Sequence, residues 1–179
     1  MTSARPSPLF WQPDNEFARV SEWDMPKAFA FGDMDILEEH DLSKISDNYF
    51  SCAELLVDTI FRNEIEDFVA QFPVIYLYRH AFELRLKHII RAADPNADCA
   101  REHSLHALLN RIGGLEPWAH RRLQELGEID PKSDRLRYGG VGTKAKSFLA
   151  TDVRFFRDAM RELQDYLTTF CPPQDGGRA

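Results

Sequence analysis

The run YLYRHAFELRLKHIIR, Tyr76 to Arg91, carries an acid, an imidazole, a phenol and three cations at helical spacing. At about 100° per residue, Arg79, Glu83, Tyr76, Lys87, His80 and Arg91 fall at roughly 0°, 40°, 60°, 80°, 100° and 120°, one third of a helix. Most of the opposite arc is apolar, with Ile75, Leu77, Phe82, Leu84, Leu86 and Ile89. Imidazole exchanges protons near neutral pH, and the guanidinium fork matches a phosphate. The set can therefore grip a phosphate and move a proton. A plainer reading stands beside it. Arg79, Glu83 and Lys87 are successive i, i+4 neighbours, and such pairs stabilise a helix by about 0.2–0.5 kcal/mol each. On that reading the stripe is an ion-pair face or a buried structural network.

Metal-free chemistry at a phosphate ester needs a base for the attacking hydroxyl, an acid for the departing oxygen and cations on the phosphate. The candidates for proton transfer and its support are Arg79, His80, Glu83 and His103. Those for phosphate or nucleotide binding are Lys87, Arg135, Arg137 and Tyr138, the last stacking on or hydrogen-bonding a base. Metal chemistry would want clustered ligands such as H-E-x-x-H, and the sequence has none, so neither metal nor cofactor is expected. Gly139-Gly-Val-Gly-Thr-Lys144 lacks the G-x-x-x-x-G-K-[ST] spacing of a phosphate loop, and no strand precedes it.

Several helices must position these residues. Helical periodicity begins near Ser43, where Tyr49, Ala53, Leu56, Ile60 and Phe61 follow a buried stripe. Pro73 suits the first turn of a second helix that stops near Asp94-Pro95. Shorter helices are expected over Leu105–Ile112 and Glu116–Gly127. A final one follows Thr151 or Asp152 as cap, with the seam Phe156, Met160, Leu163, Leu167 and Phe170, and closes before Pro172-Pro173. Residues from Asp130 to Lys146 read as a long loop, a kind that is usually functional. No period-two alternation indicates strands. The expectation is an all-α, up-and-down bundle of about five helices over 43–171. An irregular, acidic, aromatic-containing arm precedes it over 1–42, and a disordered tail follows over 172–179.

The 179 residues suffice for one core. No run approaches the roughly 18 apolar residues of a membrane span, and MTSARPSPLFWQP lacks the apolar stretch of a secretory signal. Cys52, Cys99 and Cys171 are far apart and odd in number, which suits a reducing, cytoplasmic setting. The net charge of −7 hides an asymmetry: residues 1–78 hold five basic against fifteen acidic residues, and residues 79–146 hold thirteen against nine. That balance excludes a bulk nucleic-acid binder and leaves room for a local phosphate-binding cleft.

Three segments in order resemble a HEPN-like family of small bacterial helical proteins. They are R-H-x-x-E-L-x-L-K (Arg79, His80, Glu83, Leu84, Leu86, Lys87), an H-x-L-x-x-L helix start (His103, Leu105, Leu108), and Arg137-Tyr138. The resemblance covers roughly residues 45–170. It implies a HEPN-like bundle, often dimeric, in a superfamily with many metal-independent endoribonucleases of toxin–antitoxin systems, antiviral defence and RNA processing. It also implies RNA or a nucleotide as ligand and a dimeric bundle. The aromatic arm, outside the resemblance, is expected to dock on its own domain or on a partner, so a homodimer or protein partner is expected through the helices or the arm. This chain departs from the usual late Arg-to-His signature, since no histidine follows Arg137; the literal match is Arg101 to His106. Two other functions stay open: a non-catalytic interaction module, as an assembly subunit or antitoxin-like partner, and a nucleotide-ligand sensor.

Overall fold

A computed structural model describes residues 41–131, 135–138 and 150–172. It holds six helices: α1 (Leu42–Phe61), α2 (Asp67–Ala93), α3 (Leu105–Leu109), α4 (Pro117–Ile129), α5 (Arg135–Tyr138) and α6 (Val153–Thr169). No strand occurs among the described residues, and the chain is an all-α bundle. No described helix is long and apolar enough to cross a membrane. The arm expected over 1–42 lies outside the described residues up to 40, as do the glycine-rich stretch 139–149 and the tail from 173.

Local chemistry sets the helix ends. Asp41 caps α1 by accepting from Ser43 N at 2.9 Å and Lys44 N at 3.3 Å, and Asp152 caps α6 through Phe155 N at 2.9 Å. The end of α1 is a Schellman turn: Asn63 takes φ 55°, and the Asn63 and Glu64 amides donate to the Ile60 and Thr59 carbonyls at 2.9 Å each. Asparagine tolerates that left-handed conformation better than most residues. The turn sends the chain back along α1 as α2.

α2 is the axis of the bundle, and each of the other helices touches it. From Tyr78 to Ile90 all but His80 and His88 are buried, charged residues included. Small residues let α1 approach: Ala53 and Ala81 are fully buried, and buried Ser46 donates Oγ to Ala81 O at 2.8 Å. Around them lie Val57, Phe82, Leu86, Leu105, Leu108, Leu123, Leu163 and Leu167, each worth about 1.5–3 kcal/mol when buried. The expected α6 seam is in place, with Met160, Leu163 and Leu167 buried and Phe156 and Phe170 packed against the core.

Two polar ties join α1, α2 and α6. Glu54 accepts from the Tyr78 hydroxyl at 2.6 Å, from Arg157 Nε at 2.8 Å and from Arg161 Nη2 at 2.6 Å. Asp47 accepts from Arg85 and from Gln164 Nε2, the latter at 2.7 Å.

Four expectations are corrected. α2 starts at Asp67, so Pro73 lies inside it and not in its first turn; a helix held by tertiary packing tolerates one missing amide donor. α3 ends at Leu109, before Ile112. Part of the expected 130–146 loop is the helical turn α5. Phe61 is exposed instead of buried, its ring facing the Arg154 and Arg157 guanidiniums at 5.7 and 5.5 Å, a cation–π arrangement.

Candidate functional site

The site forms where the chain leaving α2 folds back along it. α2 closes with Asp94 N donating to Ile90 O at 2.9 Å, and Asp94 Oδ1 takes the Asn96 amide at 3.0 Å, turning the chain. The returning segment lies over the charged stripe. Lys87 Nζ donates to Ala100 O at 3.2 Å, and Arg79 Nη2 donates to His103 O at 2.7 Å. Next, Ser104 caps α3 through Ala107 N at 3.2 Å, while its own amide is held by Glu102 Oε1 at 2.8 Å. The backbone of His103 is thus fixed on both sides.

Glu83 is the centre. Its carboxylate, 1% exposed, accepts from Lys87 Nζ at 2.9 Å and Arg79 Nη1 at 3.2 Å, and Oε1 lies 2.9 Å from His103 Nδ1. His80 Nδ1 stands 4.0 Å from Oε2. Burial by itself would push the Glu83 carboxyl up; Lys87, His103 and His80 together outweigh it and hold the carboxyl below its ordinary value. An ionised Glu83 can only accept, so the proton of the shared hydrogen bond sits on His103 Nδ1. In the neutral ring, Nε2 is then the basic nitrogen, and the side chain is 55% exposed. The ring is open to solvent and the acid behind it is not.

His80 is differently placed. Its ring meets Tyr49 of α1 edge-on at 4.5 Å and stacks on Tyr76 at 5.7 Å with 5° between planes. Burial pushes its imidazolium down, Glu83 pulls it up, and Lys87, Arg79 and His103 push it down again, so the neutral form is favoured. α5 packs against α2. Buried Asp130 accepts from Leu136 N at 3.4 Å, and this turn brings exposed Arg137 near enough for its charge to counter the rise that burial imposes on the Tyr76 phenol. Arg135 and Tyr138 belong to the same single turn.

The structure thus brings Arg79, His80, Glu83, Lys87 and His103 into one cluster, and the charge of Arg137 reaches the adjoining Tyr76 phenol. Arg79 and Lys87 are buried and donate to the carboxylate and to backbone carbonyls, which makes them supports for the His103 segment. Sequence reasoning passed over Tyr49, which looked like one member of an apolar stripe, and Asp130, which carries no motif. It could not see the Ala100 and His103 carbonyls. Among the described residues no group of three or more His, Cys, Asp or Glu is placed to hold a metal ion. No family model, no curated protein and no solved structure matches the chain.

Proposed function

We propose that this chain is a HEPN-like RNA-binding protein that cleaves RNA without a metal ion, in a cytoplasmic bacterial defence or toxin–antitoxin setting. The observation that carries the reading is the half-exposed His103 ring held through Nδ1 by buried, ionised Glu83. A carboxylate behind Nδ1 fixes tautomer and orientation and stabilises the imidazolium that forms on the other side. In the reaction, His103 Nε2 takes the proton of a ribose 2′-OH as its oxygen attacks the adjacent phosphorus. The P–O5′ bond breaks, and the imidazolium returns the proton to the departing oxygen. The products are a 2′,3′-cyclic phosphate and a 5′-hydroxyl, and the proton balance closes on one residue.

The test is cleavage of RNA by purified protein in EDTA, beside a His103→Ala variant shown to be folded at the assay temperature. Cyclic-phosphate ends from the wild type alone support the reading. No cleavage by either protein, both folded, sinks it.

One observation favours a second reading, the non-catalytic interaction module: both cations of the cluster are buried and spend donors on backbone carbonyls, as a purely structural fastening would. In that case His103→Ala changes stability slightly and no nucleic-acid readout.

A further inference from the structure

Most aromatic contacts among α1, α2 and α6 serve the core. Phe50 meets Tyr78 at 5.1 Å and Phe82 at 6.1 Å, and Tyr78 meets Phe156 at 5.8 Å, with Tyr78 and Phe82 fully buried. The Tyr49–His80–Tyr76 group differs. None of its three rings is buried, and the His80 side chain keeps 22% of its surface open. The group adjoins the buried Glu83 that orients the exposed His103 ring. Its hydrogen bonding also sets His80 apart from His103: at 4.0 Å its Nδ1 is beyond hydrogen-bond reach of Glu83, whereas His103 makes that bond at 2.9 Å. The imidazole, its Nδ1 outside hydrogen-bond reach of a carboxylate, belongs with Tyr49 and Tyr76 to one part-exposed cluster of three aromatic rings.

We propose that Tyr49, Tyr76 and His80 form a stacking surface for a nucleobase of the RNA strand whose phosphodiester meets His103. This assignment rests on the RNA reading above. Stacking on aromatic faces accepts any base, because every base has a π face. The charge of Arg137 acts on the Tyr76 phenol, and a guanidinium is suited to a strand phosphate near these rings. The ligand is therefore a single strand carrying bases, since paired bases hide their faces from a protein.

The experiment measures binding of two fluorescent octamers of equal charge by fluorescence anisotropy: 2′-O-methyl oligouridine, whose blocked 2′-oxygen prevents cleavage, and its abasic counterpart. The wild type is expected to bind the base-bearing strand at least about ten-fold more tightly, the scale of one base–aromatic stack. Tyr49→Leu and Tyr76→Leu, made separately, should shrink that preference. Equal binding of the two probes by the wild type overturns the stacking surface and leaves RNA binding standing. A preference that survives both tyrosine variants overturns the assignment to these rings. Binding of neither probe overturns the RNA reading, and the stacking surface with it. If one leucine variant fails to fold, the other decides; if both fail, the wild-type comparison of probes does.

Discussion

His103 and Glu83 divide one hydrogen bond between solvent and core, and their substitutions should therefore fail in opposite ways. His103 is half exposed and its backbone is held by Arg79 and by the α3 cap. Truncating it removes one charge-assisted hydrogen bond while little packing is lost. We expect His103→Ala to lose cleavage by at least about a hundred-fold, the scale of one general base, at a cost near 1–3 kcal/mol in urea unfolding. Glu83→Gln is the reverse. It leaves the Arg79 guanidinium and the Lys87 ammonium buried without their counter-ion, a change that costs about 3–5 kcal/mol. Unfolding curves for the two variants, run beside the cleavage assay, check both. A Glu83→Gln protein as stable as the wild type would mean that the carboxylate is not what balances those cations.

At the scale of elements, the segment 94–104 functions as a strap laid over α2, fastened by side chains about two helical turns apart. Lys87 holds Ala100 O and Arg79 holds His103 O. Removing the Lys87 ammonium with Lys87→Met frees the Ala100 carbonyl and leaves Glu83 with two partners. Amide hydrogen exchange over residues 96–103 should then accelerate, while that over buried 81–86, which α1 holds through Ser46 and Asp47, stays slow; equal acceleration of both would show that the strap is not a separate unit. The strap also marks how much the sequence tells. Helix starts and stops were legible wherever a local signal sets them, as at Asp152 before α6 and Asp94-Pro95 after α2. The gathering of Arg79, His80, Glu83 and Lys87 was legible too, because a helix fixes it. That His103 returns to Glu83 was not legible, since twenty residues of chain separate them and no local rule closes such a loop. For the same reason the sequence left two structural readings of the stripe open, a solvated ion-pair face and a buried network, because only the covering segment decides between them. Pro73 misled because the residues before it, Phe68, Val69 and Phe72, are exposed on α2 and show no buried stripe. Pro73→Ala should supply the missing amide donor to Val69 O and raise stability by about 1–3 kcal/mol, readable as a higher melting temperature; an unchanged or lower one would show that the helix here is shaped around the proline.

At the scale of the whole molecule, two buried or nearly buried carboxylates tie the bundle, and their ionisation links the fold to pH. Glu83 fastens the strap to α2. Glu54, 16% exposed on its ion-paired side chain, ties α1 to α2 through Tyr78 and to α6 through Arg157 and Arg161. Burial opposes the charge of Glu54, but Arg161, Tyr78 and Arg157 outweigh it, so its carboxyl lies below the ordinary value, as that of Glu83 does. A carboxyl depressed in the folded state binds fewer protons there than in the unfolded chain. Its contribution is complete above the unfolded pKa, about 4.3 for glutamate, and is lost as pH falls through the folded value. His80 acts in the same direction higher up, because burial lowers its pKa and the unfolded chain takes the proton first below about 6.5. Stability in urea should therefore be flat above about pH 7, slope down gently toward about pH 5, and fall steeply below about pH 4. The two parts can be separated. His80→Phe should remove the gentle slope and keep the steep one, whereas a protein carrying both Glu54→Gln and Glu83→Gln should be less stable at neutral pH and lose less on acidification. Should that double variant keep the wild-type acid slope, the carboxylates that hold the bundle together would have to be others.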